Sequence, residues 1–126
     1  MEKLTFDTGI KSYRVGAGVL KFNPTDPNVY ARFLETLDSL SALEAELTQT
    51  SGEAAVAALA AADKTVKEKL SYVFGPGNDM EAVFGGISLL AVGANGQRLI
   101  TNFLAAMEPI LSEGAHRCAA AEAAKL

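Results

Sequence analysis

The side chains best suited to chemistry in this sequence are its single histidine, His116, and its single cysteine, Cys118. They stand two positions apart, and a zinc site needs three or four ligands, which this pair cannot supply. Cys118 could act as a nucleophile only beside a general base, and no nearby residue marks one. The sequence therefore predicts no catalytic site, no metal site and no enzymatic activity.

Two glycine-containing segments begin like phosphate-binding motifs but complete neither. Gly16-Ala17-Gly18 follows a predicted strand, yet Lys21 stands where a dinucleotide-binding motif requires another glycine. Gly75-Pro76-Gly77-Asn78 lacks the Lys-Ser/Thr ending of a phosphate loop, so we interpret it as a helix stop. No cofactor is predicted. Scattered aspartates are interpreted as helix caps and solvated charges: Asp26, Asp38, Asp63 and Asp79.

The overall charge and composition argue against nucleic-acid binding, membrane insertion and secretion. A net charge of −4 and a pI near 4.9 argue against nucleic-acid binding, which usually requires a basic face. The least polar stretch, residues 82–94, is shorter than the roughly 20 residues of a membrane-spanning helix. The start of the chain, residues 1–7, lacks the features of a secretory signal. One cysteine permits no internal disulfide, so the cytoplasm is the expected compartment.

The elements that must position any site fall into two groups. Over residues 1–23 apolar residues alternate with period two, which predicts short strands. The alternating pairs are Leu4 with Phe6, Tyr13 with Val15, and Leu20 with Phe22. Turns are expected at Gly9 and at Gly16-Ala17-Gly18, since glycine reaches positive φ without steric cost. The prediction for this region is a small antiparallel hairpin or meander.

Helices are predicted over residues 26–114. Asp26 caps the first, with Pro27 at its first position and its end near Thr48. A capping box, Thr50-Ser51-Gly52-Glu53, begins the second, which places Val56 on its apolar stripe and stops at Gly75-Pro76. Asn78 caps a short third helix that ends at Gly85-Gly86.

The C-terminal part of the chain contains an apolar run and a last helix. The apolar run at residues 87–92 fits a helical turn or a strand, and we favour the helix. A last helix follows Asn95-Gly96, with Pro109 inside it, and residues 115–126 are expected to fray. The whole chain, 1–126, is predicted to form one mainly α (α+β) domain. It consists of a small N-terminal hairpin or meander followed by a compact bundle of about four helices.

The second half of the chain carries more apolar side chains than one face of a short element can bury. They are either a central core segment or a surface for self-association or partner binding, and the two readings overlap in a protein that assembles. The predicted partner-binding residues are Phe84, Ile87, Leu89 and Leu90.

Several short segments, in order along most of the chain, resemble one protein family. They are Phe6-Asp7-Thr8-Gly9, Phe22-Asn23-Pro24-Thr25-Asp26, Val73-Phe74-Gly75, Val83-Phe84-Gly85-Gly86 and Asn102-Phe103-Leu104-Ala105-Ala106-Met107. Their order and spacing resemble the tail assembly chaperones, small proteins of siphophages and prophages of Gram-positive bacteria. None of these segments is a catalytic signature. The Ala-rich second helix and tail depart from the family pattern.

The resemblance implies a function. Members of that family bind the phage tape measure protein in the host cytoplasm, help tail-tube subunits polymerise around it, and are absent from the finished virion. The expected partners are therefore the tape measure and tail-tube proteins, with self-association. Two alternatives stay open: a structural virion component such as a head–tail connector or minor tail protein, and a small ligand-binding domain or enzyme with a dispersed site.

Overall fold

A computed structural model describes residues 1–121 of the chain. Two strands come first, β1 (Lys11–Val15) and β2 (Gly18–Phe22). Four helices follow: α1 (Pro27–Leu47), α2 (Glu53–Phe74), α3 (Met80–Val83) and α4 (Leu99–Ala120). The predicted fold class is confirmed, because the structure is mainly helical with an N-terminal antiparallel hairpin ahead of four helices.

The two strands form a tight antiparallel hairpin whose inner face covers the helices. Lys11 pairs with Phe22 and Val15 with Gly18, and Gly16 makes the turn with a φ of 56°. Leu20 and Phe22 are buried, and the Phe22 ring stacks on Tyr13 with centroids 5.0 Å apart. The predicted alternation and turn are confirmed for these two strands.

The predicted strand around Leu4 and Phe6 is wrong. Residues 1–10 carry no strand assignment, and the Leu4 and Phe6 side chains are 85% and 69% exposed. A strand needs a paired neighbour, and the segment before Gly9 does not fold back along β1 to find one. Thr8 is held there, since its carbonyl oxygen accepts a hydrogen bond of 3.0 Å from Asn23 Nδ2. We call residues 1–10 the N-terminal arm.

The first two helices begin and end through local chemistry. Asp26 caps α1 as predicted, because its carboxylate accepts from the Asn28 N–H at 2.9 Å. The predicted capping box on α2 is wrong, since the helix begins at Glu53 after Gly52, and no side chain caps it. Gly52 has a φ of 69°, a conformation that glycine adopts most readily, so backbone shape sets this start. Gly75, with a φ of 95°, ends α2 as predicted.

Helix α3 is a single turn, and its predicted cap was one residue off. Asp79, not Asn78, accepts from the N–H groups of Glu81 and Ala82, at 3.0 and 3.4 Å. Asn78 is instead buried, where it bonds to the backbone of Lys21 on β2, donating to O and accepting from N, both at 2.9 Å.

The segment between α3 and α4 is not helical, so the favoured helix at residues 87–92 is wrong. Its backbone bonds to the start of α4 instead: the Leu99 N–H donates to the Ala91 carbonyl at 2.8 Å, and the Ile100 N–H donates to the Leu89 carbonyl at 2.9 Å. These bonds to α4 replace the intrahelical ones that a turn of helix would have used.

Helix α4 continues past Gly114 to Ala120, with Pro109 inside it, so residues 115–120 are not the frayed tail that was predicted. Residues 122–126 of that predicted tail lie outside the described residues. Gly114 is required by packing, because an added Cβ would lie 1.7 Å from the carbonyl oxygen of Pro24. The absence of a side chain at Gly114 lets α4 approach the loop before α1.

One hydrophobic core joins the hairpin to the helices. Val56 was expected on the buried stripe of α2 but is 69% exposed, whereas its neighbours Ala55 and Leu59 are half-buried, so Val56 lies outside that stripe. The buried apolar residues are Leu20, Phe22, Val29, Phe33, Ala62, Val66, Leu70, Val73, Phe74, Met80, Val83, Leu89, Leu90, Ile100, Met107 and Leu111.

Candidate protein-binding surfaces

The two side chains first considered for chemistry lie in the last turns of α4. His116 is exposed and Cys118 is half-buried. Within residues 1–121, no group of three or more histidine, cysteine, aspartate or glutamate side chains is placed to hold a metal ion. The described part of the chain thus assembles no candidate metal centre around them.

One aspartate takes a role that the sequence analysis missed. Asp63 was expected to be a solvated charge, but its side chain is only 16% exposed. Its Oδ2 lies 2.9 Å from Lys67 Nζ, and its Oδ1 accepts from the Leu89 N–H at 2.7 Å. Lys67 Nζ also lies 2.8 Å from Glu81 Oε1. The spacing Asp63-x-x-x-Lys67 was the available signal, since side chains four apart on a helix meet.

This ionic cluster of Asp63, Lys67 and Glu81 is a structural tie. Burial by itself lowers the pKa of Lys67, but the hydrogen bonds and charges of Glu81 and Asp63 outweigh it and raise that pKa above 10.5. Lys67 therefore carries its charge at neutral pH. The cluster fastens α2 to α3 and, through Asp63, to the non-helical segment at Leu89.

The four predicted partner-binding residues separate into two classes. Ile87 is 56% exposed and Phe84 is half-buried, so both reach the surface. Leu89 and Leu90 are 1% and 5% exposed and belong to the core, which corrects their assignment as surface contacts. Leu89 is held by backbone bonds to Asp63 on α2 and Ile100 on α4, and the Leu90 carbonyl accepts from the Arg98 side chain. Each forms the floor of a different apolar depression.

The first depression, which we call the hairpin cleft, lies between the hairpin turn and the start of α4, with a volume of about 390 Å³. Phe84 and Phe103 meet edge to face there, with centroids 5.1 Å apart. Among the described residues, Asn102 is the one polar side chain that lines the cleft, and its Oδ1 accepts from Asn95 Nδ2 at 2.9 Å. The cleft is lined by Val15, Gly16, Ala17, Phe84, Gly85, Ile87, Leu89, Leu99, Asn102 and Phe103.

The second depression, which we call the leucine groove, lies between the C-terminal half of α1 and the start of α4, and also measures about 390 Å³. At its edge Arg98 pairs with Glu44 at 3.5 Å and donates to the Leu90 carbonyl at 2.8 Å. The groove is lined by Leu37, Leu40, Leu43, Leu47, Val66, Leu90, Ile100 and Leu104, together with the polar residues Ser41, Glu44 and Thr101.

The leucine groove was missed as a site by the sequence analysis. Leu37, Leu40, Leu43 and Leu47 are all half-buried. Their spacing of three, three and four residues puts them on one face. The signal was a leucine stripe longer than the neighbouring helices cover, and only the structure shows where that cover ends.

None of the helices described over residues 1–121 combines the length and the apolar character needed to cross a bilayer. No protein family, no curated protein and no solved structure matches the chain.

Proposed function

We propose that this protein is a non-enzymatic tail assembly chaperone of a siphophage or prophage. In this proposal it binds the tape measure protein in the host cytoplasm, helps recruit tail-tube subunits, and leaves before the virion is complete. The observation that carries the proposal is the leucine groove, whose leucine stripe on α1 the rest of the described chain leaves half-covered. The resemblance in the order of short segments supplies the identity of the partners.

The shape of the groove favours a helical partner. Its wall on α1 is a stripe of leucines along one helix face, and its other wall is the start of α4. An amphipathic helix binds such a groove by placing apolar residues at positions i, i+3, i+4 and i+7 against it. Tape measure proteins, as the resemblance implies, are long and largely helical, so they offer this stripe repeatedly.

The repeated apolar stripes of a tape measure protein also fit a chaperone that binds each stripe weakly. One groove of this size buries less surface than a standard protein interface, so each copy should bind weakly. Many copies along one filament would act together, because neighbouring binding events raise the effective concentration. Covering the apolar stripes would keep the tape measure protein soluble until tube subunits replace the chaperone.

The test is co-expression with the tape measure protein encoded beside it, followed by measurement of its solubility and of a co-purifying complex. The variants Leu40→Glu and Leu43→Glu place a charge in the groove and should abolish the complex. Leu34→Glu is the matched control on the same helix, because Leu34 is 45% exposed and does not line the groove. A tape measure protein that is equally insoluble with and without the wild-type chain would refute the proposal.

A structural virion component is the alternative that uses the same surfaces for permanent contacts. Mass spectrometry of purified virions separates the two functions, since the chaperone proposal requires the chain to be absent. A small-ligand site receives less support. The hairpin cleft has a single polar side chain, already bonded to Asn95, whereas ligand sites usually gather several polar groups.

A further inference from the structure

The N-terminal arm carries three large apolar side chains that the described chain leaves exposed. Leu4, Phe6 and Ile10 are 85%, 69% and 58% exposed. Leu4 and Phe6 are two apart, so in an extended conformation they point to the same side. Among residues 1–121, no backbone hydrogen bond joins the arm to another element, and one side-chain bond, from Asn23 to Thr8, holds its base. The arm is therefore an unpaired segment whose exposed apolar side chains are spaced as in a strand.

The hairpin offers one free edge to such a strand. On β2, the outward N–H and carbonyl groups of Lys21 are occupied by the side chain of Asn78. Gly18 on β2 lies against α3 so closely that an added Cβ would be 2.2 Å from the Val83 carbonyl oxygen. On β1, Ser12 lies opposite Lys21 and Arg14 lies opposite Val19, so their backbone groups also point outward, and within the described chain no strand pairs with them.

The hairpin cleft lies under the end of that free edge. Val15, the last residue of β1, lines the cleft together with Phe84, Ile87 and Phe103. A strand added to β1 would direct alternate side chains to the face where Tyr13 and Val15 point, which is the face that the cleft opens on. Two apolar residues spaced like Leu4 and Phe6 would therefore fall on the cleft.

The arm of the same molecule cannot make this contact in register. If it reversed at residues 7–9, Phe6 would lie beside Ile10 or Lys11, at the opposite end of β1 from Val15. The bond from Asn23 to Thr8 holds the base of the arm at that opposite end. The arm of a second copy is not attached to that end of β1, so it can lie beside Val15.

We propose that the N-terminal arm of one copy adds to the free edge of β1 in a second copy and inserts Leu4 and Phe6 at the hairpin cleft. Charge complementarity supports this occupant. With Phe6 beside Val15, a parallel arm places Glu2 beside Lys11, and an antiparallel arm places Asp7 beside Arg14. This contact joins two different surfaces, so it can build open chains or rings. It goes beyond the proposed function, because it needs no tape measure protein.

Sedimentation velocity on the full chain and its variants tests the contact. The wild type should form assemblies larger than a monomer, in proportion to concentration. Phe6→Asp in the arm and Ile87→Glu in the cleft should each sediment as monomers. Both side chains are exposed, so both variants should keep the wild-type circular dichroism spectrum. Thr5→Asp, on the opposite face of the added strand, is the matched arm control and should assemble like the wild type.

An equimolar mixture of the two monomeric variants is the decisive measurement. The Ile87→Glu chain supplies an intact arm and the Phe6→Asp chain supplies an intact cleft, so the mixture should recover dimers. A mixture that remains monomeric, a Phe6→Asp variant that assembles normally, or a wild type that is monomeric at every concentration would each overturn the proposal. None of these outcomes depends on binding of a tape measure protein, so this inference and the proposed function fail separately.

Discussion

Replacing Asp63 with alanine tests the claim that the ionic cluster ties α2 to the segment before α4. The substitution removes two contacts at once: the acceptor of the Leu89 N–H at 2.7 Å and one of the two carboxylates that pair with Lys67. Helix propensity works in the opposite direction, since alanine favours a helix interior over aspartate by a fraction of a kcal/mol. Any large loss of stability must therefore come from the contacts.

The expected loss in the free energy of unfolding depends on how deeply each contact is buried. Leaving a buried N–H without an acceptor costs about 1–3 kcal/mol. Breaking a fully buried ion pair costs about 3–5 kcal/mol, but Lys67 keeps Glu81, whose side chain is 62% exposed and so already partly solvated. We discount the ionic part to about 1–2 kcal/mol and expect a total loss near 3 kcal/mol.

Urea unfolding followed by circular dichroism measures this loss as a change in midpoint at constant slope. Asp63→Asn keeps an oxygen that can accept from the Leu89 N–H, so we expect it to lose about half as much stability. Glu68→Ala is the matched control, an exposed acid on the same helix, and should change stability by less than about 0.5 kcal/mol. A loss below about 1 kcal/mol for Asp63→Ala, indistinguishable from the control, would refute the reasoning.

Three further measurements test other parts of the structure. Gly114→Ala should destabilise by about 1–3 kcal/mol, because a Cβ would strike the Pro24 carbonyl, while Gly77→Ala, with open space around it, should change little; equal effects would contradict the packing argument. The folded-state pKa of Lys67 lies above its ordinary value of 10.5. The stability that the Lys67 charge contributes is therefore fully present at neutral pH and is lost as pH rises from the ordinary pKa through the folded-state pKa. The unfolding free energy of the wild type should fall relative to Lys67→Met in that alkaline range, and parallel pH profiles would show that the charge contributes nothing. A chelator should leave the melting temperature unchanged, because one histidine supplies too few ligands for a zinc site; a drop in melting temperature would reveal a bound metal.

Local sequence signals were sufficient to predict the ends of an element wherever one or two residues control the backbone conformation. Asp26 followed by Pro27 marked the start of α1, and Gly75 marked the end of α2, because capping and positive φ depend on the residue itself. The hairpin over residues 11–22 was also predictable, since its alternation and its glycine turn agree. These features make the mainly helical class readable from the sequence.

Predictions failed where distant partners compete with local preference. Residues 87–92 are apolar enough for a helical turn, but backbone bonds to α4 and the carboxylate of Asp63 hold them in another shape. Leu4 and Phe6 alternate like a strand, yet alternation does not provide a paired neighbour. In the first case bonds to other elements override the local preference, and in the second no neighbouring strand is present to pair with.

For the candidate surfaces too, some features follow from the sequence and others only from the tertiary structure. The sequence alone established a helical chain with surplus apolar residues and few groups for chemistry, because composition and spacing are sufficient for those statements. Which apolar residues face solvent was decided only by the tertiary structure: Leu89 and Leu90 became core, while Ile87 and the leucine stripe of α1 remained accessible. The physical reason is that exposure depends on what the rest of the chain covers, and that cover is set by packing between elements distant in sequence.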